Sequence, residues 1–517
     1  MTSASTGRSL RFSPPTVAIG CLAAFLLVFH LLANALTPYG YFRDELYYLA
    51  CSHRLAAGYV DHPPLSVWLL ALVRTGLGDS LFALRLVPAL ALSGTVVVVG
   101  LIVQHLKGGT WAMVLAGLAV ALAPIFLAMG TYYSMNSLDI LLWSVAAYGV
   151  LRVVDDPTPR RWVVLGAILG LGLLNKVGFL WFGAGLLAGL LLTPLRKQFA
   201  TPWPYVAAGI AFFFFLPFVV WNVQNDFAHL EFMRNAVLNK YGGITRTDFL
   251  SGALLMMSPA AAPLWGAGLF YYFRDARGRK YQVLGIIFLA TLLILLVNGH
   301  SKPEYLAPAF PMLLAGGGVA LERVAQRRQL RWVPTVVALL LISSLALAPL
   351  VVPLLPPPAY VNYATAIGFQ GPNSEGKATA ELPQFFADMH GWEALAATVS
   401  QVYQALPEAE REQALVYAQN YGEAAALEHY RGQYELPPTI SGHNTYWLWG
   451  YGEHDPEVMI IVGGGQADHL ESFRRVDSVA VHRAAYVMPY ENDLPIFVCR
   501  ELRAPVAEIW PGSKHYD

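Results

Sequence analysis

The sequence predicts a multi-span α-helical membrane protein that ends in a small α/β domain. The composition supplies two of the three observations that indicate this, namely few charged residues and a high hydropathy. Of its 517 residues, 56% are hydrophobic and only 13% are charged, about half the charged share of soluble domains, and the mean hydropathy is +0.46. The third observation is a change of pattern near residue 355. Long apolar runs precede it, and shorter alternating segments follow it.

Long apolar runs mark the predicted spans, because a helix needs about 20 apolar residues to cross a bilayer. The first run follows Arg8 and Arg11. It is longer than the roughly 7–15-residue core of a cleavable signal peptide, so we expect an uncleaved helix. We predict about eleven spans, at residues 16–36, 86–105, 111–130, 138–153, 162–175, 178–195, 204–222, 251–273, 282–298, 305–321 and 332–353.

The connections between these runs predict the orientation. Every second connection is short and basic, whereas the others mix acids, histidines and aromatic residues with a few cations. We expect the protein in the inner or plasma membrane. Since basic loops favour the cytosol, we expect its amino terminus in the cytosol and everything after residue 354 outside. The basic connections hold Arg8, Arg11, Lys107, Arg152, Arg160, Arg161, Arg196, Lys197, Arg274, Arg277, Arg279, Lys280, Arg323, Arg327, Arg328 and Arg331.

The chain after the last span predicts a separate domain, so we divide it into residues 1–354 and 355–517. "PPPAY" ends the last helix, and strand-like runs such as "EVMIIVGG" and "LPIFVCREL" alternate with helical ones such as "GWEALAATVSQVYQAL". The three cysteines have neither metal-ligand spacing nor an even number, and we expect no Cys51–Cys499 bond. A net charge of zero gives no reason to expect a nucleic-acid partner.

The first outer loop, "YFRDELYYLACSHRLAAGYVDHPPL", concentrates polar chemistry beside lipid. "DELYYLACSHRLAAG" has helical periodicity and predicts an amphipathic helix in the interface. "DHPPL" ends it, because the residue before proline avoids helical geometry. Asp44, Glu45, Asp61 and His62 then lie on two short elements that can face one cavity. A solvated loop with chance acids is the alternative, although acids beside lipid are costly unless something uses them.

Other outer loops add cations and further polar groups. Lys176 lies in "LNKVGFL", His229 and Arg234 in "DFAHLEFMRN", and Lys302 and Glu304 in "HSKPEY". Each lysine alone can be an interfacial side chain that reaches for water. Together they predict an outward-facing site with carboxylates and cations, which suits a substrate with a phosphate to be held and a hydroxyl or amine to be deprotonated.

The loop motif just quoted, with "YYSMNSLDILLW", "GLLNKVGFLWFG" and "KPEYLAPAFPMLLA", resembles the GT-C membrane glycosyltransferases that use polyprenyl-phosphate sugars. Within them the sequence is similar to protein O-mannosyltransferases and lipid A aminoarabinose transferases, the family 39-like group, over residues 20–325. The resemblance implies a GT-C fold and sugar transfer with inversion.

The resemblance also implies roles for individual residues. Asp44 matches the catalytic or metal-assisting carboxylate, and Glu45 completes the acidic pair. "DHP" matches an acidic-basic-proline triplet, with Asp61 as a ligand for a possible divalent metal ion. Here aspartate replaces the usual glutamate, and His62 replaces the usual lysine, which puts metal and phosphate contacts at this spot in doubt. His229 matches a ligand histidine, and Lys176 matches a lysine that contacts the carrier phosphate.

The remaining candidates complete the predicted site. Lys302 and Arg234 are further phosphate-binding candidates. Candidates for contact with the sugar or the acceptor are His62, Tyr133, Asn136 and Glu304. Tyr133 could equally well belong to an aromatic belt at the membrane interface. In the last domain, a polar and aromatic cluster predicts either a carbohydrate site or a hydrogen-bonded turn. Its members are Asn420, Tyr421, Glu423, His443, Asn444, Tyr446 and Trp447.

These observations favour a glycosyltransferase that moves a sugar from a polyprenyl-phosphate donor in the membrane to an extracytoplasmic lipid, glycan or protein. An activated lipid-linked sugar needs no nucleotide pocket, and the sequence has no phosphate-binding glycine loop before a helix. A transporter or flippase of lipid-linked sugars is the main alternative. It should bury ionisable residues near midspan, whereas here they gather at one face. A membrane scaffold is a third alternative, which leaves the acidic loop unexplained.

Overall fold

The computed structural model describes residues 14–369, 380–452 and 455–517, and most of the chain before residue 355 is helical. The helices of this part and of the connection that follows it are α1 (Pro14–Leu36), α2 (Arg43–His53), α3 (Leu65–Leu77), α4 (Leu81–His105), α5 (Thr110–Ala121), α6 (Pro124–Met129), α7 (Met135–Asp155), α8 (Pro159–Asn175), α9 (Phe179–Leu192), α10 (Trp203–Gln224), α11 (Ala228–Ala236), α12 (Arg246–Met256), α13 (Ala262–Arg274), α14 (Gln282–Asn298), α15 (Phe310–Arg327), α16 (Val333–Ser343), α17 (Ala348–Val351) and α18 (Pro357–Ala366).

Several of these helices cross the membrane. Among the described residues, seven helical segments are long and apolar enough to do so, and the number rises to nine if each of two bent pairs counts as one span. The seven segments are Pro14–Leu36, Leu81–His105, Met135–Asp155, Trp203–Gln224, Gly278–Asn298, Pro303–Arg327 and Val333–Val351.

The predicted count of eleven spans is therefore not confirmed, although each predicted span falls on helix. The run 111–130 is divided between α5 and α6, where Pro124 begins a new helix. The run 251–273 bends by 82° between α12 and α13, and the run 178–195 ends in a bend of 98° after α9. Hydropathy alone does not reveal such bends, because it reports the polarity of a segment and not the direction of its axis.

Close helix contacts hold the bundle together. The core cluster is aliphatic and aromatic, and it draws on most of the long helices. α13 and α15 approach so closely that a methyl group at Gly317 would overlap the carbonyl oxygen of Leu264. Small residues permit this approach, and dispersion contacts then stabilise the pair in a solvent as apolar as the helices themselves.

The connections divide into two groups, one at each end of the bundle. At one end, Lys280 Nζ lies 2.5 Å from Asp155 Oδ1, and Arg323 donates to the carbonyl oxygen of Leu106 at 3.1 Å. We call this the basic end, because it carries the basic connections of the described part of the chain; the predicted Arg8 and Arg11 lie outside the described residues. The other connections meet at the opposite end, which we call the loop end: α2, α3, α11, residues 130–134, residues 176–178 and residues 299–309. The alternation predicted from charge is thus present, whereas the side of the membrane that each end faces stays a prediction.

The last part of the chain contains a five-stranded mixed sheet with helices around it. The order of strands is β2-β1-β3-β5-β4, with β1 parallel to β2 and β3, and β5 antiparallel to β3 and β4. The predicted small α/β domain is confirmed, while its boundary at residue 355 stays a prediction. The elements are α19 (Gln384–Ala387), α20 (Trp392–Gln404), α21 (Glu408–Arg411), β1 (Ala414–Ala418), α22 (Tyr421–His429), α23 (Arg431–Tyr434), β2 (Thr439–Ile440), α24 (Thr445–Trp449), β3 (Val458–Val462), α25 (Gln466–Ser472), β4 (Phe473–His482), β5 (Leu494–Leu502) and α26 (Val506–Ile509).

This domain lies directly on the loop end, with α22 packed along α2. Gly40 donates its backbone N–H to the carbonyl oxygen of Met389 at 3.2 Å. Arg54 forms an ion pair with Glu428 at 2.7 Å. The three cysteines are free thiols, as expected. The domain therefore covers the loop that carries the predicted acids.

Candidate active site at the loop end

The centre of the loop end is α2, whose first turn carries the adjacent acids Asp44 and Glu45. Carboxylates are favourable there, because the positive end of the helix dipole lies at the amino terminus. Successive residues on a helix point about 100° apart, so the two acids meet different surroundings.

Glu45 is entirely enclosed and fully hydrogen-bonded. Its Oε1 accepts from Arg85 Nε at 2.9 Å and from the backbone N–H of Tyr133 at 2.8 Å. Its Oε2 accepts from Arg85 Nη2 at 2.8 Å and from the backbone N–H of Phe42 at 2.9 Å. The side chains of Glu45 and Arg85 are both 0% exposed. Four donors fill the four lone-pair positions of this carboxylate, which leaves none for a substrate.

Asp44 is different, because 37% of its side chain is exposed. Its Oδ1 accepts a hydrogen bond from the hydroxyl of Tyr421 at 2.8 Å, and Arg43 Nε lies 3.8 Å from the same oxygen. A carboxylate held by a neutral donor and open to solvent on one side can accept a proton from a bound molecule. Of the predicted acidic pair, the structure leaves only Asp44 accessible.

Tyr132 lies near Asp44, in the short connection before α7. Its ring packs against the rings of Phe42 and Phe385, with centroids 4.9 and 5.2 Å apart. Burial raises the pKa of Tyr132, and the negative charges of Asp44 and Glu304 raise it further. The hydroxyl therefore stays a neutral donor between two acids that belong to distant parts of the chain.

The predicted sugar contacts Tyr133 and Asn136 have different surroundings. Tyr133 is fully buried, and its hydroxyl donates to the carbonyl oxygen of Ser66 at 2.5 Å, so its side chain is not available to a ligand. Asn136 is partly exposed, and its side-chain oxygen accepts from Lys176. Of the two adjacent tyrosines, the structure brings Tyr132 to the site, whereas a sugar contact through Tyr133 stays a prediction that its burial does not favour.

Lys176 follows the last turn of α8 and reaches toward the start of α7. Its Nζ donates to Asn136 Oδ1 at 2.7 Å, lies 3.7 Å from Asp139 Oδ2, and sits 5.5 Å from the centre of the Tyr305 ring. The side chain is mostly buried, so its charge is poorly screened. The ammonium group can therefore interact strongly with an anion that enters beside it.

Lys302 occupies a similar place on the neighbouring connection. Its Nζ lies 4.0 Å from Glu304 Oε1 and 4.5 Å from the centre of the Tyr241 ring. Tyr241 is in turn a close neighbour of Tyr305, the ring beside Lys176. The two lysines therefore flank one pair of tyrosines, in an arrangement suited to a phosphate between them.

Asp61, His62 and His229 form a separate group. His62 Nε2 lies 3.9 Å from Asp61 Oδ1. His62 Nδ1 is 3.0 Å from the carbonyl oxygen of Pro63, and His229 Nδ1 is 2.9 Å from that of Val60. Because a carbonyl oxygen only accepts, each Nδ1 carries the proton, and each Nε2 has a lone pair.

Those two Nε2 atoms are buried and have no hydrogen-bond partner in the described structure. Burial lowers the pKa of His229, which favours the neutral imidazole that binds metals. A backbone carbonyl that fixes the other ring nitrogen is also typical of metal-binding histidines. Within residues 14–369, 380–452 and 455–517, however, no three His, Cys, Asp or Glu side chains converge on one metal position. The donor atoms suit a divalent ion only if other ligands complete the shell.

Two tyrosines connect the acids of the two groups. Tyr421 donates to Asp44, and the hydroxyl of Tyr47 lies 3.0 Å from Asp61 Oδ1. The rings of Tyr421 and Tyr47 pack with centroids 4.9 Å apart. The predicted acids Asp44 and Asp61 are therefore separated by two packed tyrosine side chains. Arg234, by contrast, is an exposed residue of α11, and none of its contacts places it beside the lysines.

Arg85 was not predicted from the sequence as a site residue. It is an ionisable group inside an apolar run, which is a usable signal, because such a group is costly unless it is paired. No local pattern marks Tyr421 as a partner of Asp44, since 377 positions separate them.

The polar cluster of the last domain is mainly a set of structural turns, as one of the two interpretations expected. The Asn420 side chain accepts from the backbone N–H groups of Gly422 and Glu423 at 2.8 and 3.0 Å and so caps α22. Tyr446 donates to Glu428 at 2.8 Å. Tyr421 is the exception, because its hydroxyl leaves the domain and reaches α2.

The chain is similar in sequence and in fold to several known proteins. The family model described as dolichyl-phosphate-mannose-protein mannosyltransferase matches residues 61–221. An undecaprenyl phosphate-α-4-amino-4-deoxy-L-arabinose arabinosyl transferase of Pseudomonas fluorescens is 23% identical over 289 residues, which cover 53% of this chain and 51% of the relative. The lipopolysaccharide core galacturonosyltransferase RgtB of Rhizobium johnstonii is 27% identical over 290 residues, 51% of this chain and 57% of the relative. The chain thus spans about half the length of these curated relatives.

A solved structure matches nearly the whole chain. The crystal structure of ArnT from Cupriavidus metallidurans bound to undecaprenyl phosphate superposes with a TM-score of 0.60 at 16% identity, and the match covers 93% of this chain and 98% of that one. At this identity the likeness is one of fold. The protein has the GT-C fold with a small C-terminal sheet domain, as the sequence motifs imply.

Proposed function

We propose that this protein is a glycosyltransferase that moves a sugar from a polyprenyl-phosphate donor to an acceptor outside the cytoplasm. One observation carries the proposal. At a single end of a GT-C bundle, Tyr132 lies near a partly exposed carboxylate, Asp44, and also near Glu304, which is in turn paired with Lys302. A base and a phosphate-binding cation on one side of a membrane are what this reaction needs.

The relatives support a substrate class. Their names describe the transfer of an aminoarabinose from undecaprenyl phosphate and of a galacturonosyl group to the core of lipopolysaccharide. We propose an undecaprenyl-phosphate sugar as the donor and a lipid or glycan of the cell envelope as the acceptor. The side chains at the site do not identify the sugar.

The residues take the following roles in this reaction. Asp44 accepts the proton of the acceptor hydroxyl or amine as that atom attacks the anomeric carbon. The bond from this carbon to the phosphate oxygen breaks, and Lys176 and Lys302 stabilise the negative charge that grows on the phosphate. Attack opposite the leaving phosphate inverts the anomeric centre. Tyr132, Asn136 and Glu304 are positioned to bind sugar hydroxyls.

Two predicted residues take revised roles. Glu45 fixes the start of α2 through its pair with Arg85, and we propose that it positions Asp44 instead of reacting itself. Arg234 lies on the exposed part of α11, where an arginine can bind the headgroup region of the membrane or the distal part of the donor phosphate.

A divalent metal ion is a further proposal. Asp61 and His229 would hold it, with His62 beside them, and water or the donor phosphate would complete the coordination. Such an ion would supply positive charge to the leaving phosphate.

The orientation follows from the basic connections. We propose that the basic end faces the cytosol together with the amino terminus, and that the loop end and the sheet domain lie outside the cytoplasm, in the inner or plasma membrane. The lipid tail of the donor then lies between the spans, with its phosphate at the loop end.

The direct test uses purified protein in lipid vesicles. The donor panel consists of undecaprenyl phosphate linked to radiolabelled 4-amino-4-deoxy-L-arabinose, galacturonate or mannose, and lipopolysaccharide is the acceptor. We expect one donor to pass its label to the acceptor and leave undecaprenyl phosphate behind. If folded protein moves an intact donor across the bilayer without breaking the glycosidic bond, the protein is a flippase, and the proposal is overturned.

A further inference from the structure

The sheet domain reaches both candidate acids, Asp44 directly and Asp61 through Tyr47. Tyr421 is the first residue of α22, and its hydroxyl donates to Asp44 Oδ1 at 2.8 Å. Thr445 is the first residue of α24, and its hydroxyl oxygen is 2.6 Å from that of Tyr47, the tyrosine that contacts Asp61. Both contacts come from helix starts of a domain that is far from α2 in sequence.

The hydrogen-bond directions around Tyr47 follow from counting protons. A carboxylate only accepts, so the Tyr47 proton goes to Asp61 Oδ1, 3.0 Å away. The oxygen of Tyr47 can then accept from the Thr445 hydroxyl. The Thr445 oxygen itself accepts from the backbone N–H of Val60 at 3.1 Å. The Val60 N–H, the Thr445 hydroxyl and the Tyr47 hydroxyl each have an acceptor in this series. Asp61 therefore accepts a hydrogen bond from a hydroxyl that is held in place.

The contact to Asp44 is held rigidly as well. Asn420 caps α22 directly before Tyr421, and the Tyr421 backbone N–H donates to His443 Nδ1 at 3.3 Å. On the bundle side, Arg43 precedes Asp44, and its guanidinium lies 3.6 Å from Asp388. The Arg43 guanidinium also lies over the Tyr421 ring, 5.3 Å from its centre. The tyrosine therefore has little freedom to turn away from the carboxylate.

We infer that the sheet domain supplies two positioning residues to the reaction: Tyr421 orients the Asp44 carboxylate, and Thr445 orients Asp61 through Tyr47. This inference rests on the proposed function. The domain is then part of the active site, and its docking sets the direction of the base toward the acceptor.

Matched variants separate positioning from simple docking. Tyr421→Phe and Thr445→Val each remove one hydroxyl and keep the shape of the side chain. Glu428→Gln is the control, because it weakens the ion pair with Arg54 in the same interface and touches neither acid. All three are compared with the wild type on whichever member of the donor panel supports turnover.

We expect Tyr421→Phe to lower kcat about tenfold or more and to leave the donor KM within about twofold. Thr445→Val should lower kcat several-fold, and Glu428→Gln should change it less than about twofold. If Tyr421→Phe keeps the wild-type kcat, or if Glu428→Gln is equally damaging, the inference is overturned.

A second measurement does not depend on turnover. Carbodiimide labels the carboxyl groups that it can reach, and peptide mapping reports the labelling rate of Asp44 at one fixed pH. We expect this rate to rise in Tyr421→Phe, because no hydroxyl then occupies Asp44 Oδ1, and to stay unchanged in Glu428→Gln. An unchanged rate in Tyr421→Phe overturns the inference even if no donor reacts, whereas a raised rate without any turnover contradicts the proposed function alone.

Discussion

Arg85 donates two hydrogen bonds to the Glu45 carboxylate, from Nε to Oε1 at 2.9 Å and from Nη2 to Oε2 at 2.8 Å, and both side chains are fully buried. The next residue along the helix, Asp44, remains partly exposed and accepts from a tyrosine of another domain. Adjacent acids thus have separate tasks. Glu45 fixes the start of the helix, and of the two carboxylates Asp44 is the one open to a bound molecule.

The first prediction concerns this ion pair. Glu45→Gln leaves a buried guanidinium without its counter-charge and should lower the free energy of unfolding by about 3–5 kcal/mol. The double variant Glu45→Gln with Arg85→Met removes both charges and should be less destabilised than the sum of the single variants. Thermal unfolding in detergent measures the stability of Glu45→Gln, of Arg85→Met and of the double variant. Additive losses would show that the two residues do not act as a pair.

The second prediction concerns the lysines of the site. Lys176→Met and Lys302→Met should each raise the KM for the donor about tenfold, because each removes a charge poised for the phosphate. Lys280→Met is the matched control, since Lys280 pairs with Asp155 at the basic end. Steady-state kinetics with the donor that supports turnover measure the KM of each variant. An equal effect of Lys280→Met would refute a specific phosphate site.

The third prediction uses two buried acids of the sheet domain. Asn420 Nδ2 donates to Glu423 Oε1 at 2.9 Å and to Glu491 Oε1 at 3.0 Å. Burial raises the pKa of Glu491 from 4.5 to about 7, although Arg43 opposes this shift, and burial raises the pKa of Glu423 as well.

The folded protein therefore holds a proton that the unfolded chain releases above pH 4.5. The stability from this proton is complete below that pH and is lost as the pH rises through about 7. Glu491→Gln mimics the protonated form, so it should be stabilised relative to the wild type at pH 8 and not at pH 4. Melting temperatures across this range test the prediction, and a difference independent of pH would contradict it.

The fourth prediction concerns the metal. Protein purified without chelators should carry a divalent ion, measurable by mass spectrometry of the element, and Asp61→Asn and His229→Ala should each lower its occupancy at least tenfold. Asp79→Asn is the control, because Asp79 is an exposed acid of the same end that pairs with Arg74. Equal metal content in all four proteins would remove Asp61 and His229 as ligands.

The sequence predicted a multi-span helical bundle before residue 355, because apolar runs report directly on burial in lipid. It did not predict the bends after Leu192 and Met256, because hydropathy reports the polarity of a segment and not the direction of its axis. Four strands, β1, β3, β4 and β5, were predicted from the runs "ALVYAQNYG", "EVMIIVGG", "DSVAVHRAAYVM" and "LPIFVCREL", whereas the two-residue strand β2 is too short to produce a pattern.

The site was predicted in part, for a related reason. Local motifs pointed to Asp44, Lys176 and Lys302, which belong to short connections with few apolar residues. They could not distinguish Asp44 from Glu45, since the difference depends on Arg85, 40 positions away. Nor could they distinguish Tyr132 from Tyr133, because the direction of each ring depends on the packing of α3 and the sheet domain.

The most direct test of the account is the initial rate at which label leaves the donor in the presence of acceptor, compared between the wild type, Asp44→Asn and Asp79→Asn. We expect Asp44→Asn to bind the donor and fold as the wild type does, but to transfer sugar about 10²–10⁴ times more slowly, while Asp79→Asn remains fully active. If folded Asp44→Asn transfers sugar at the rate of the wild type, Asp44 is not the base, and the proposed mechanism is wrong.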